Sequence, residues 1–298
     1  MMDKSYVNTF SIAGIRFSLH TERPIIITEP FKDFITENDQ SDIKIEFKES
    51  NQIELKTENE KFSNLIFKVY ENDKGYYRIY HDHKEDDRQY AIGRIYSNEY
   101  EKIQYLTDSS QFFNESSNAF SHIAFEELLL RWKAMILHAS FISTEQGGIL
   151  FSGPSGIGKS TQADLWRLHE EAELINGDRT IIRKDNNMWR AYGSPYAGSS
   201  RCFVNKSVAI RAIVILKKCE KCRIQKMNST MAFFKTYAGM IVNTWNQEYV
   251  QTITDLLKEM ILEIPVYLLE CTPTKEAVDL LKNTLEKEET GESRRNTL

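Results

Sequence analysis

The sequence predicts an α/β protein: a β-rich domain over residues 1–115, an α/β domain over residues 116–287, and a charged tail at 288–298. Three observations predict it. Apolar and polar residues alternate in the first part of the chain, the period becomes helical after Ser117, and a glycine-rich signature at 153–160 joins an apolar run to an amphipathic one.

Each element follows from its own pattern. Ile43, Ile45 and Phe47 alternate with Lys44, Glu46 and Lys48, as a half-buried strand requires. Leu65–Tyr70 and Tyr76–Tyr80 flank Glu-Asn-Asp-Lys-Gly, a glycine-containing hairpin turn, and Tyr90–Tyr96 gives a further strand. The polar segment before it holds His81, Asp82, His83, Asp86 and Asp87. These lack a recognised metal-ligand spacing and read as a solvated turn. Phe120, Ile123, Phe125, Leu128, Leu129 and Trp132 recur at helical spacing and predict one helix leading into the second domain. Strands are then expected at Met135–Phe141, Gly148–Phe151, Thr180–Lys184, Met188–Tyr192, Ala209–Leu216 and Val266–Leu269. Helices are expected at Ser160–Glu173, Thr230–Ala238 and Tyr249–Leu262, and from Pro273 onward, where Ala277, Leu280, Leu281 and Leu285 form an apolar face. The tail after Lys287 lacks periodicity and reads as disordered.

Bulk properties exclude several classes. The 298-residue chain carries a net charge of −5, against a nucleic-acid footprint, and its pI is about 5.8. Lys217, Lys218, Lys221, Arg223 and Lys226 cluster locally and read as a solvated hairpin end. The longest apolar runs are too short to span a bilayer, and the N-terminus lacks the apolar core of a signal peptide. Four cysteines make no disulfide framework in a chain this long, so the expectation is a soluble, cytoplasmic protein. Cys219 and Cys222 form a C-x-x-C pair with no second pair to complete it. A turn with two free thiols is the expectation, with zinc or redox chemistry as the alternative.

Residues 153–160, Gly-Pro-Ser-Gly-Ile-Gly-Lys-Ser, match the phosphate-binding pattern G-x-x-x-x-G-K-[ST]. Glycines 153, 156 and 158 let successive backbone N–H groups, including those of Ser155 and Ile157, turn inward toward phosphate oxygens. Lys159 adds a cation for the β and γ phosphates, and Ser160 offers a hydroxyl to Mg2+. The next acid is Asp178, after Leu174-Ile175-Asn176-Gly177. A helix leaving the loop and a strand returning beside the first strand would bring Asp178 to the loop's edge of the sheet. There a carboxylate can hold Mg2+ or accept the proton of an attacking hydroxyl.

The ordered set Leu137-His138-Ala139-Ser140, Gly153–Ser160 and Ile175-Asn176-Gly177-Asp178 resembles the catalytic domain of the HPr kinase/phosphorylase family. Phosphoenolpyruvate carboxykinases share that nucleotide-binding arrangement. The downstream segments Tyr192–Gly198, Ala209–Leu216, Ile264-Pro265-Val266-Tyr267 and Cys271-Thr272-Pro273 are similar to compact bacterial HPr-kinase-like proteins, among them kinases of lasso-peptide precursors. The resemblance implies an HPr-kinase-like P-loop domain using ATP and Mg2+ to phosphorylate a serine of a peptide or protein acceptor, such as a ribosomally made precursor. It is also compatible with an oligomer. Carried over by residue, Lys159 and the loop N–H groups hold the phosphates, Thr161 meets a more distal phosphate, and Ser160 and Asp178 serve the metal. Asp178 acts as acid/base or as a metal-shell ligand, His138 beside it orients it or polarises the acceptor, and Arg179 and Arg201 neutralise the transferring group. The chain departs from the resemblance at Gly177, where those kinases carry a second aspartate. It also lacks a recognisable Arg- and Gly-rich segment with a metal-binding glutamate. A small-molecule kinase and a non-catalytic ATP sensor therefore remain as alternatives.

Overall fold

A computed structural model describes residues 5–38, 40–53, 59–73, 75–82, 84, 88–97 and 100–289. The chain forms two compact units, Met1–Trp132 with Asn243–Tyr249, and Lys133–Val242 with Val250–Leu298.

The first unit contains β1 (Tyr6–Ile12), β2 (Ile15–Thr21), α1 (Glu29–Lys32), β3 (Ile35–Thr36), β4 (Ile43–Ser50), β5 (Glu60–Ser63), β6 (Phe67–Asn72), β7 (Gly75–Asp82), β8 (Arg88–Ser97), β9 (Tyr100–Leu106), α2 (Ser116–Ser121) and α3 (Phe125–Leu130). Its strands form one sheet in the order β3-β1-β2-β4-β9-β8-β7-β6-β5, with β4 parallel to both of its neighbours. Ile43, Ile45 and Phe47 are buried and Lys44 and Lys48 exposed, as the alternation requires. The strand expected from Leu65 starts instead at Phe67, because Asn64 Oδ1 accepts the N–H groups of Ile66 and Phe67 and turns the chain there. Of the polar turn after β7, His83, Asp86 and Asp87 lie outside the described residues.

The expected boundary near residue 115 falls instead at Trp132. Phe120 stacks on Phe31 at 4.6 Å and Phe125 meets Phe17 at 5.3 Å, so α2 and α3 complete the first unit's aromatic core. The single helix expected over this stretch is broken at His122–Ala124. Buried His122 turns its Nδ1–H onto the Asn118 carbonyl, and the carboxyl of buried Glu101 takes the N–H of Ala124. Arg78, also buried, donates to Glu126 at 2.7 Å and Glu127 at 2.6 Å, and Asn243 donates to both carboxylates. Every charge taken from water there has a partner.

The second unit contains β10 (Ala134–Thr144), β11 (Gly147–Ser152), α4 (Lys159–Glu170), β12 (Glu173–Asn176), β13 (Arg179–Asp185), β14 (Met188–Tyr192), β15 (Ser207–Lys218), β16 (Arg223–Lys226) and α5 (Ser229–Tyr237). After these come α6 (Gln247–Glu263), whose first residues belong to the first unit, then β17 (Val266–Cys271) and α7 (Lys275–Glu289). Strand order is β11-β10-β13-β14-β15-β17-β16, and the parallel pairing of β11 with β15 closes β11-β10-β13-β14-β15 into a ring.

Three expectations change here. The strand returning after α4, β12, pairs antiparallel with β10, so β10 lies between β12 and the loop's own strand β11. Helix α4 packs across all three strands, which makes the longer crossover. The basic cluster at 217–226 is not a hairpin end, because β17 sits between β15 and β16 and places Glu270 between Lys217 and Arg223, at 2.7 Å and 3.2 Å. The tail expected to be disordered from 288 begins in α7, where Glu288 pairs with Lys226 at 3.0 Å; residues from 290 lie outside the described set. Among the described residues no helix is long and apolar enough to cross a membrane.

Candidate functional site

Residues 153–158 turn the chain from β11, buried from Gly148 to Ser152, into α4. Gly156 and Gly158 have φ of +72° and +113°, and a Cβ added at either would project into open space. Backbone conformation, not packing, requires glycine at these positions, and the space left clear is a cradle. Gly158 caps α4 without any side-chain acceptor, so the partial positive charge of the helix start is left for an anion. Ser160 and Thr161 are exposed on the first turn. Lys159 is buried and folds its Nζ back onto the carbonyls of Gly153 at 3.1 Å and Pro154 at 3.3 Å. Burial pushes its ammonium pKa below the usual lysine range, opposed by the charge of Asp178.

Strand β10 brings the rest together. Ala139 pairs with Ser152, the last residue of β11, and its N–H donates to the carbonyl of Asp178 at 2.9 Å. The exit of the loop strand and the acid therefore flank the same point of β10. One residue earlier, His138 pairs with Arg179 of β13, and its Nε2 reaches Asp178 Oδ1 at 3.0 Å. His138 is further fixed through its backbone. Its N–H donates to Gly239 at 2.8 Å, and its carbonyl accepts from Ser152 Oγ at 3.0 Å. Burial, with the charges of Lys159 and Arg179, lowers the imidazole pKa against the opposing pull of Asp178. The neutral ring then donates Nε2–H to the carboxylate.

Asp178 is held from several sides. Its N–H donates to Asn176 Oδ1 at 3.0 Å, while Asn176 Nδ2 donates to the carbonyls of Ser194 at 3.0 Å and Tyr196 at 3.3 Å. Buried Ser140 donates to the Gly177 carbonyl at 3.2 Å. Gly198 covers the carboxylate so closely that an added Cβ would stand 3.0 Å from Asp178 Cγ. Arg179 Nε lies 3.9 Å from Oδ2, and its guanidinium sits over the Tyr196 ring. Arg201 follows the turn that carries Gly198, and its side chain is exposed.

The structure thus brings His138, Asp178, Arg179 and Lys159 into one electrostatic group and leaves Arg201 at its margin. Sequence reasoning assigned no role to Asn176, Ser140, Ser152, Gly198 or Gly239. Asn176, Ser140 and Gly198 lay inside the quoted segments, but nothing in a local pattern signals which remote group such residues touch. Gly177 has a packing reason. A Cβ there would lie 2.0 Å from Ser200 Oγ, so a second acid cannot occupy this position while Ser200 stays in place. The residues fit ATP and Mg2+: an open glycine cradle, a buried ammonium, and hydroxyl and carboxylate oxygens suited to a hard cation. Cys219 and Cys222 are free thiols between β15 and β16, and no group of three or more metal-ligating side chains occurs among the described residues.

No curated protein matches the chain. Among solved structures, the HPr(Ser) kinase/phosphatase from Coxiella burnetii is similar at 16% identity, covering 53% of this chain and 95% of that one with a TM-score of 0.32. The profile of the SynChlorMet cassette protein ScmC family matches residues 119–276, more than half of the chain, and includes the glycine loop, His138 and Asp178. The chain belongs to the SynChlorMet cassette protein ScmC family.

Proposed function

We propose that this protein is an ATP-dependent kinase that transfers the γ-phosphoryl group to a hydroxyl, in particular that of a serine in a peptide or protein. One observation carries the reading: the His138–Asp178 pair, 3.0 Å apart, stands where the glycine loop leaves β11, with Lys159 close enough to be coupled to Asp178. The loop N–H groups and Lys159 bind the phosphates. Asp178 takes the proton of the acceptor hydroxyl as its oxygen bonds to Pγ and the bond from Pγ to the β-phosphate oxygen breaks, releasing ADP. His138 keeps the carboxylate oriented by donating to Oδ1, which leaves Oδ2, beside Arg179, for the proton. Arg179 offsets charge on the transferring group. Ser160 and Asp178 would hold Mg2+, which when bound neutralises charge on the β and γ phosphates.

The test is incubation of the purified chain with γ-labelled ATP and serine-containing peptides. Acceptor-dependent label transfer that Lys159→Ala abolishes is expected. A second reading, a nucleotide sensor without turnover, is favoured by the absence of room for a second carboxylate at Gly177. Tight ATP binding with no transfer to any hydroxyl acceptor would select it instead.

A further inference from the structure

Beside the glycine loop, on the side formed by the ends of β15 and β17, lies a cavity of about 560 Å³. Gly156 and Gly158 of the loop form one wall, so the cavity is continuous with the cradle. Its other walls combine apolar Ile157, Leu216, Cys271 and Pro273 with Cys219 and the charged side chains Lys217, Lys218 and Glu220 around the end of β15. The volume suits a small organic ligand, not an ion. Gln162 sits in this lining, one turn into α4 and only 3% exposed. Its side-chain nitrogen donates to Cys271 Sγ at 3.3 Å, while its carbonyl oxygen is buried without a partner. A buried amide with one half unused costs stability unless something else takes that hydrogen bond. A slot walled by apolar side chains and bordered by charged ones, with one unspent amide and opening onto a phosphate cradle, matches a ligand with a flat hydrophobic body, polar edges and an anionic tail.

We propose that this cavity seats the nucleoside half of the nucleotide, with the spare amide oxygen of Gln162 accepting from its base or ribose and the Cys219 thiol forming part of its wall. The inference rests on the kinase reading, in that the phosphates occupy the loop. Cys271 suits the floor of such a seat, since burial pushes its thiol up to about 11 and keeps it neutral.

The experiment compares ADP with inorganic pyrophosphate, two probes that share the phosphate tail and differ in the nucleoside. Binding of each is measured by calorimetry on the full chain, and on Cys219→Trp and Gln162→Leu. Alkylation of Cys219 by N-ethylmaleimide is followed by peptide mass spectrometry. Expected results are that ADP, and not pyrophosphate, slows alkylation of Cys219, and that Cys219→Trp, by filling the slot, weakens ADP by roughly 10- to 200-fold. Gln162→Leu should weaken ADP by about tenfold, and pyrophosphate should bind both variants as it binds the parent. If Cys219→Trp fails to fold, the alkylation comparison and Gln162→Leu decide the matter. Pyrophosphate binding with equal ADP affinity in parent and variants, or equal protection by both probes, would overturn the nucleoside seat and leave the kinase reading standing. Failure of the parent to bind either probe would overturn both.

Discussion

His138 Nε2 and Asp178 Oδ1 stand 3.0 Å apart across the junction of β10 and β13, and nothing local in sequence joins them. Register does: His138 pairs with Arg179, and the neighbouring Ala139 N–H binds the Asp178 carbonyl. The contact is therefore a property of the sheet and is in place before any substrate arrives.

A positioning role for His138 makes a specific forecast. His138→Ala should lower turnover by roughly 10- to 100-fold with little change in KM for ATP, and His138→Asn, which retains an N–H donor, should recover part of it. Because the imidazole pKa lies below its ordinary value of 6.5, the parent's rate should stay level as pH falls through 6.5 and drop only below it. A rate that already falls at 6.5, with His138→Asn no better than His138→Ala, would remove His138 from this role.

The close approach at Gly177 can be tested by paired substitution. Gly177→Ala forces a Cβ to within 2.0 Å of Ser200 Oγ and should destabilise the chain by about 1–3 kcal/mol. Ser200→Gly removes the obstructing atoms, so the double variant should regain much of that loss. Denaturant unfolding of the four proteins measures the coupling, and simple additivity would contradict the packing account.

In the first unit, Glu101 is fully buried, and burial raises its carboxyl pKa from 4.5 to about 8 despite the opposing charge of Arg78. Below pH 4.5 both folded and unfolded states carry the proton. Between 4.5 and 8 only the folded state does, so stability declines as pH rises through that window. Glu101→Gln keeps an acceptor for the Ala124 N–H and has no proton to lose. Its thermal midpoint should therefore be flatter across the window than the parent's, and an unchanged slope would refute the assignment.

Burial acts in the opposite sense on His122, lowering its pKa from 6.5 to about 4. The ring is neutral, donating to Asn118 and accepting from the Tyr90 hydroxyl at 2.8 Å. Its contribution is complete above pH 6.5 and is lost as pH falls toward 4. An NMR titration of the His122 ring should show no protonation near 6.5; a midpoint there would contradict the buried, hydrogen-bonded geometry.

Much of the second unit was legible because its strands are strongly apolar and its loop has a distinctive spacing. Ala212–Leu216 and Gly148–Phe151 could be read directly, and a crossover argument put Asp178 near the loop although it missed β10 lying between β12 and β11. The first unit was less legible. The β1–β2 hairpin turns at Ala13-Gly14, with φ of +54° and +72°, without the Asn-Gly or Asp-Gly pair that marks such turns, so both strands passed unnoticed. The break between α2 and α3 depends on Glu101, distant in sequence, and no helical period reports it. In the site, Gly177 looked like the loss of an acid, whereas its reason is Ser200 on a loop that only tertiary contact brings near. Residues whose work is to touch something remote leave no local pattern.

The central claim is that Asp178 receives the proton of the attacking hydroxyl. Its most direct test is single-turnover transfer from γ-labelled ATP to a library of serine-containing peptides by the parent and by Asp178→Asn, with ATP affinity measured in parallel. The account predicts that the variant still binds ATP while its transfer rate falls by roughly 100- to 10,000-fold; transfer at the parent's rate would contradict it.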